Sequence, residues 1–564
     1  MEIKNVFNNL FGYTPRDVYN FSFSNNSEDS EFNISQNNIN SFEKSEDVHT
    51  DLSVNLDYIK AKYNLLINSD IIIRQFILNA RGKLYNAFLF YIDGMVNSQI
   101  LNHFVLEPLM PRNKSNLFNN EQNRVISEST KDNITVRKVK KFNLSDYIES
   151  CLIPQNNVEK NNSFEDVFSG VNSGNCALFV DTLSIAFDID VKGFKQRGID
   201  KPENEIVIKG AHEAFVENIR TNTSLLRRFT NNENLVIEGL EAGKLTKTKC
   251  AVCYMQNIAN SDLVAEVKYR INNLDVDSIL SSGQLEQLIS DDNSLGLPKA
   301  ISTERPDNAV QHLLEGRVVV LVNGSPFALI LPAIMIDFLT SPEDRNLKSI
   351  FANFLRVIRI VCSFLALLLP GLYISITSFH IEIIPTELLY SILASRGSVP
   401  FPIIFEILIM EISFEIIREA SLRVPSAIGS TIGIVGALVI GQAAVSAGIV
   451  SPILIIIVAI TALSSFAIPD YTFSFHLRVF RFLFILLGYT AGFLGIGTGL
   501  FVYISMICDM QSFGVSYSTP YSHVKNSQNS GIILPPIWKR EYRSYFLAPQ
   551  KARKQANISM KWKF

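Results

Sequence analysis

The chain has 564 residues, 47% of them apolar and 19% charged, with a mean hydropathy of +0.17. At about 100 to 200 residues per domain there is room for three or four units, and the apolar excess points to one of them lying in lipid. A net charge of −3 is not that of a nucleic-acid-binding protein, and six cysteines scattered over positions 151, 176, 250, 253, 362 and 508 do not form a disulfide scaffold.

Met1 to Tyr19 mixes Lys4, Arg16, Asp17 and several Asn without an apolar core, so no secretory signal is expected and the N-terminus is placed in the cytosol. Residues 1–50 hold ten Asn and seven Ser with few aliphatics. Such a segment cannot bury enough apolar area to offset its ordering entropy, so 1–55 is expected to be a disordered extension. Arg112 to Asn133 and Gln155 to Asp166 read as surface loops.

Residues 56–345 have the character of a cytosolic α/β part, expected as two subdomains, 56–230 and 231–345, divided near Asn231 to Lys249. Ile71 to Leu78 and Lys83 to Ile92 predict a strand pair. The alternation of Cys176, Leu178, Val180 and then Leu183, Ile185, Phe187, Ile189 predicts half-buried strands. A helix is expected over Ala211 to Phe229, and another over Asp262 to Leu274 with Ser261 as its N-cap. Asn323-Gly324, between Val318–Leu321 and Pro326–Leu331, is a strong two-strand turn signal.

The helical membrane domain is expected over 349–515. Ile360 to Phe379 is 20 residues without a charge, Val424 to Pro469 is 46 and Phe482 to Cys508 is 27, and about 20 suffice to cross the hydrocarbon layer. With a turn near Gly448 to Pro452 the middle stretch supplies two spans, which gives four: 360–379, 426–447, 452–469 and 482–508. The tail, 523–564, carries nine Lys or Arg against Glu541 alone, and Arg345, Lys348, Arg356 and Arg359 precede the first span. Both ends are therefore placed in the cytoplasm, which an even number of crossings satisfies.

Pro402 to Pro425 is the most informative segment, because Glu406, Glu411, Glu415, Arg418 and Glu419 interrupt a run that is otherwise apolar. Ten apolar residues gain roughly 4 to 5 kcal/mol on entering lipid, whereas five charges would cost on the order of 12 to 18 at the bilayer centre. The amphipathic helix 403–423 therefore cannot face lipid all round. Glu411, Glu415, Arg418 and Glu419 fall within an arc of roughly 100°. Two arrangements fit: an interfacial helix with local Glu415–Arg418 and Glu419–Arg423 pairs, or an acidic stripe lining a water-filled passage in an oligomer. Gly429 and Gly433, Gly488 and Gly492, and Gly495 and Gly499 have the spacing of close helix packing, and Pro370-Gly371 suggests a kink or hinge in the first span.

Other signals carry no chemistry. Cys250-Ala-Val-Cys253 stands alone in an expected strand, with its thiols on opposite faces. Gly239 to Lys244 lacks the spacing and hydroxyl of a phosphate loop, the seven His form no ligand cluster, and there is no Gly-x-Ser-x-Gly elbow. No enzyme, cofactor or metal is expected. The spans are too few and dissimilar for the inverted repeat of a secondary transporter.

The run Lys209-Gly-Ala-His-Glu-Ala-Phe-Val-Glu-Asn-Ile-Arg-Thr-Asn-Thr-Ser-Leu-Leu-Arg-Arg228 resembles the A subunits of spore germinant receptors, the GerA family of endospore-forming bacteria. Thr303-Glu-Arg-Pro-Asp307, Leu314-Glu-Gly-Arg-Val318, Ser341-Pro-Glu-Asp344, Leu369-Pro-Gly-Leu-Tyr373, Ile384-Pro-Thr-Glu-Leu388 and Arg418-Glu-Ala420 follow in order, over about 71–522. Gly210-Ala-His-Glu-Ala-Phe215 departs from the usual Gly-Pro-Arg-Glu-Gly-Phe. Thr303 to Asp307 reads as a helix-starting turn. The resemblance implies a nutrient-sensing subunit of the spore inner membrane. It would work with a permease-like B subunit and a lipoprotein C subunit, and would oligomerise around a central path through which cations leave. On that expectation Glu411, Glu415, Glu419 and Arg418 belong to the ion path, Pro370 and Gly371 to a hinge, and Arg220, Arg227 and Arg228 either to a solvated helix face or to a contact with a neighbouring subunit. A non-conducting scaffold remains the alternative.

Overall fold

The computed structural model describes residue 21 and residues 47–80, 83–110, 143–193, 202–291, 295–397, 399–423, 441–519 and 533–555. Most of the N-terminal extension (1–20 and 22–46), the 112–133 loop, Gly429 and Gly433, and most of the expected span 426–447 lie outside the described residues, whereas residues 52–55, expected within the disordered extension, already begin a helix capped by Asp51.

Two five-stranded sheets form the first part. In the first, β1 (Ile71–Ala80), β2 (Lys83–Ile92), β3 (Val158–Asn161), β4 (Cys176–Val180) and β5 (Ala186–Ile189) lie in the order β1-β2-β4-β5-β3. In the second, β6 (Leu235–Ala242), β7 (Thr248–Met255), β8 (Ile301–Thr303), β9 (Val318–Val322) and β10 (Ala328–Leu331) lie in the order β6-β7-β9-β10-β8. Every neighbouring pair is antiparallel. The expected strand pair is β1 and β2, and Gln155 to Asp166, read as a loop, contains the edge strand β3.

Both faces of the first sheet are covered, which is why its central strands read as near-continuous apolar runs. On β2, Phe88 and Phe90 point to α1 (Leu52–Lys62) and α2 (Phe164–Asn172), while Ala87 and Leu89 point to the helical stretches at 98–109 and 144–152. The second sheet alternates in the same way. On β7, Cys250 and Val252 pack with α4 (Ser261–Asn272) and α5 (Ser282–Ile289), whereas Ala251 and Cys253 pack with α3 (Ile219–Thr230) and α6 (Pro306–Glu315). The two thiols thus lie on opposite faces.

The division between subdomains falls earlier than Asn231 to Lys249, which here forms β6 and the start of β7. Helix α3 already packs on the second sheet, so the crossing lies between β5 and Ile219. That helix also starts later than its apolar stripe suggests. The side chain of Asn218 caps it by accepting from the N–H groups of Arg220 and Thr221. Asn222 reaches back to bond both the N–H and the C=O of Val216, and Phe215 donates its N–H to the carbonyl of Glu304. Residues 211–217 are held out of the helix by these bonds. Helix α4 starts one residue early, capped by Asn260. The link between β9 and β10 is longer than a two-residue turn, because Asn323 and Gly324 donate outward to the carbonyls of Lys249 and Glu217.

The second part is helical: α7 (Ser349–Phe379), α8 (Thr386–Arg396), α9 (Ile403–Arg423), α10 (Pro452–Phe466) and α11 (Tyr471–Asp509). Among the described residues α7 and α11 are long and apolar enough to cross a membrane. The apolar core on the α3 and α6 face of the second sheet runs on into Leu367, Phe473, Leu477, Phe484, Tyr503 and Ile507. The two parts therefore share a core.

The uncharged run 482–508 is not one straight crossing. At Gly492 the backbone leaves the helix (φ 60°, ψ −140°), a conformation that only glycine adopts without strain. His476 is 2.9 Å from the hydroxyl of Tyr503, and the rings of Phe484 and Tyr503 are 6.2 Å apart. A straight helix would separate residues 476 and 503 by about 40 Å. Helix α11 is thus a tight hairpin of two antiparallel arms. Both ends return to the sheet-containing part: Phe473 stacks on Phe338 at 5.9 Å, and Tyr517 accepts the N–H of Met335.

Candidate functional site

Glu411 and Glu415 are four residues apart on α9, and Arg478 and Arg481 three apart on the first arm of α11, so each pair occupies one helix face. The two faces meet. Arg481 Nη1 is 3.0 Å from Glu411 Oε2, Arg478 donates to Glu415 at 2.5 Å, and Arg481 donates to its other oxygen at 3.3 Å. Glu411, Arg478 and Arg481 are all buried, whereas Glu415 retains 31% side-chain exposure. One turn away, Glu406 is fully buried, lies 3.5 Å from Arg396 and accepts the N–H of Ser451 just before α10.

At the other end of α9, Arg418 reaches Ser465 and places its guanidinium 4.6 Å from the ring of Phe466 and 5.9 Å from that of Tyr471. The expected local pairing of Glu415 with Arg418 is therefore replaced by pairing with α11, because Arg418 is held by aromatic rings. Glu419 is exposed, and the Arg423 side chain lies outside the described residues. The opposite face of α9 carries Phe405, Ile409, Ile412 and Ile416, each 40–64% exposed. Except at exposed Glu419, charge on α9 faces protein and apolar surface faces out.

Three carboxylates (Glu406, Glu411, Glu415) thus meet three guanidiniums (Arg396, Arg478, Arg481) along one side of α9, with Arg418 and exposed Glu419 at its far end. Their hydrogen-bonding capacity is not exhausted. Glu406 Oε1, Glu411 Oε1, Arg478 Nε and Nη2 and Arg481 Nε are buried without a hydrogen-bond partner among the described residues, which is the chemistry of a site that takes up water. The guanidinium partners were missed in the sequence, although Arg478 and Arg481 are the charges that shorten the last uncharged run.

Pro370 lies inside a continuous α7. A Cβ on Gly371 would sit 2.7 Å from the carbonyl oxygen of Phe484, and one on Gly488 would sit 2.5 Å from that of Gly371. These glycines make a backbone-to-backbone crossing of α7 with α11. Gly495 and Gly499 pack on Leu487 of the other hairpin arm.

The arginines of α3 face the other subdomain. Arg227 is buried and bonds both oxygens of Asp70 at 2.8 and 2.9 Å, while Arg220 pairs with Asp93 at 2.8 Å. Arg228 pairs with Glu213. Ser69 donates its N–H to Ile237 on the edge strand β6, and Asn68 accepts the N–H of Ile237. Arg220 and Arg227 are thus taken up within the chain, at the seam of the two subdomains. An open groove of about 890 Å³ runs along this seam, lined by Ser69, Arg220, Lys247, Lys249 and Asn323 among others.

The Thr303–Asp307 motif starts α6 at Pro306 as its sequence suggests, and it also clasps the crossing segment. Buried Arg305 donates to the carbonyls of Glu205 and Ala211 and to Asp307. Glu205 accepts from Thr303 and from the Glu304 N–H, and burial pushes its carboxyl up to about 7 despite those bonds. In the Ser341–Asp344 motif, Asp344 is fully buried between Arg356 and Arg359 of α7.

The last arm of α11 ends in a small hairpin, β11 (Gln511–Ser512) and β12 (Val515–Ser516), that inserts Phe513 into the core beside α4 and α5. Phe513 donates its N–H to Asp291 at 2.7 Å, and the Arg270 guanidinium lies 4.3 Å from its ring. No metal-holding cluster of His, Cys, Asp or Glu occurs among the described residues.

The family described as Bacillus/Clostridium GerA spore germination protein matches residues 57–546. The chain is similar to spore germination protein KA of Bacillus subtilis, 37% identical over 84% of this chain and 83% of that one. It is also similar to spore germination protein B1 of the same organism, 38% identical over 84% and 92%, and to GerLA of Bacillus cereus, 37% identical over 64% and 74%. Among solved structures, the crystal structure of the N-terminal domain of the A subunit of the Bacillus megaterium spore germinant receptor GerK3 matches at 31% identity. It covers 51% of this chain and 97% of that one, with a TM-score of 0.35.

Proposed function

The chain belongs to the GerA family of spore germination proteins, and from that premise we propose that it is the subunit of a germinant receptor that gates cation release across the spore inner membrane. In this reading the chain crosses the bilayer an even number of times, with α7, α9, α10 and both arms of α11 among the crossings and the sheet-containing part and the tail in the cytoplasm. Several copies assemble around a central path, alongside a permease-like and a lipoprotein subunit. The nutrient acts by binding one conformation better than the other, and it can shift the gate only by that difference in affinity.

The carrying observation is the mixed burial and exposure of the α9 charges. Glu411 is locked to Arg481, while Glu415 and Glu419 keep exposure and the cluster retains buried polar atoms that need water. Glu415 and Glu419, repeated around an oligomer, would attract cations into a narrow wet opening, with Glu411, Arg418 and Arg481 holding the helix that carries them. Phe513 and the shared core couple the cytoplasmic part to α11, and the Gly371–Gly488 crossing, next to Pro370, is where α7 would pivot against it. The test is cation release from spores carrying Glu415→Gln with Glu419→Gln at normal protein level. Slowed release with intact protein supports the path, and unchanged release removes these residues from it.

A second reading draws on the pairing of Glu406, Glu411 and Glu415 with Arg396, Arg478 and Arg481: carboxylates compensated in this way suit a scaffold that assembles the receptor while ions pass elsewhere. Reconstituted oligomers without conductance would favour it.

A further inference from the structure

We propose that the basic C-terminal strap, residues 533–555, rests on the anionic phospholipid headgroups of the leaflet that α7 enters. This inference depends on the membrane reading above but not on conduction. Helix α7 has 31 residues, a length of about 46 Å, which matches the roughly 40–45 Å of a bilayer with its headgroup layers rather than the hydrocarbon alone. Its uncharged part begins at Ile360, so Asn353 lies about 10 Å before it, at headgroup depth.

At that depth α7 has two distinct faces. Arg356 and Arg359 turn inward to Asp344, whereas Ile350, Phe351 and Phe354 are 59–79% exposed and continue the outward stripe of Val357, Val361 and Phe364. The strap is pinned to this level: Leu534 donates its N–H to the Asn353 side chain at 2.7 Å, and Asn353 donates back to the Leu534 carbonyl at 3.2 Å. Further along, Gln550 bonds the carbonyls of Ile258 and Ala259, and Arg543 bonds that of Leu314, so both ends of the strap are fixed.

Beside and between these anchors the strap leaves Ile533, Ile537, Trp538 and Tyr542 each 48–60% exposed. Lys539, Lys551 and Arg553 are exposed beside them. Aliphatic and aromatic side chains with cations at one level have the composition of an interfacial surface: the rings and Ile side chains enter the headgroup boundary while the cations meet phosphate. Exposed cations set beside aromatic and aliphatic side chains match the phosphate and acyl layers of an anionic bilayer surface.

Trp538 is one of two tryptophans, and Trp562→Phe leaves it as the single reporter. The full-length variant is reconstituted into nanodiscs of phosphatidylcholine, with or without phosphatidylglycerol, carrying bromine near the top of the acyl chains. The proposal expects Trp538 to lose most of its emission in brominated discs. The loss should deepen with phosphatidylglycerol and shrink in Lys539→Glu/Lys551→Glu/Arg553→Glu. Emission unaffected by bromine overturns it, whether acrylamide reaches Trp538 from water or protein shields it. The dependence on lipid composition needs no strap variant, so a folding defect in the triple variant does not blunt the test. Failure of the chain to remain with the discs would instead sink the membrane reading itself.

Discussion

Replacing Arg481 by Met tests the pairing of α9 with α11 through energetics. The guanidinium and the Glu411 carboxylate are 3.0 Å apart and both almost fully buried. At that distance and an effective dielectric constant of about 20 their attraction is about 5.5 kcal/mol. Withdrawing two ions from water costs several kcal/mol each, so the intact pair sits near balance. Removing one partner is different: it leaves a buried uncompensated carboxylate and costs about 3–5 kcal/mol. For a helical unit of this size that corresponds to a fall in Tm of about 6–20 °C. Arg481→Met with Glu411→Leu removes both charges and should recover most of the loss, since an apolar pair of similar volume is tolerated there. The assay is thermal unfolding of the full chain in detergent, read for both single variants and the double. A single variant as stable as the parent, or a double variant that loses the sum of the two, would refute the coupling.

Other consequences follow from the same geometry. Gly488→Ala should abolish stable protein in detergent, because its Cβ would meet the Gly371 carbonyl oxygen at 2.5 Å, whereas Gly497→Ala, with nothing within 4 Å, should be tolerated or stabilise by about 1 kcal/mol. Phe513→Ala should destabilise the cytoplasmic part by about 3–5 kcal/mol, measured by denaturant unfolding, and should uncouple nutrient from cation release. Burial raises the Glu205 carboxyl to about 7 from an ordinary 4.5, so ionising it in the fold costs stability that is present below pH 4.5 and lost as pH rises through 7. Glu205→Gln should therefore flatten the decline in Tm between about pH 5 and 7 relative to the parent chain. Buried His312, held neutral by desolvation and by Arg345 and Arg317, acts in the opposite sense on acidification, and it is common to both proteins in that comparison.

The alternation in β1, β2, β4 and β5 made the first sheet legible, because a strand covered on one or both faces writes its burial into neighbouring residues. The hydropathy of α7, α9 and α10 was legible for a similar reason. The start of α3 was not: residues 211–217 share its apolar stripe, and what keeps them out of the helix is the Asn222 side chain together with a bond to Glu304, some 90 positions away. The hairpin at Gly492 was equally hidden, since 27 uncharged residues satisfy the length rule for one crossing and only the local backbone reveals the reversal. For the site, the improbability of five charges on α9 in lipid was legible, but their partners were not. Glu415 and Arg478 are 63 residues apart, and local spacing favoured Arg418, which aromatic rings on α10 and α11 hold instead.

The central claim is that the α9 carboxylates meet protein and water while the opposite face meets acyl chains. Single nitroxide labels at 409, 412, 415, 416 and 419, in a chain freed of its six native cysteines and reconstituted in bilayers, measure this directly through collision with oxygen and with a water-soluble nickel chelate. Oxygen should dominate at 409, 412 and 416, and the chelate at 415 and 419. The reverse order, or chelate access all round the helix, would contradict the account.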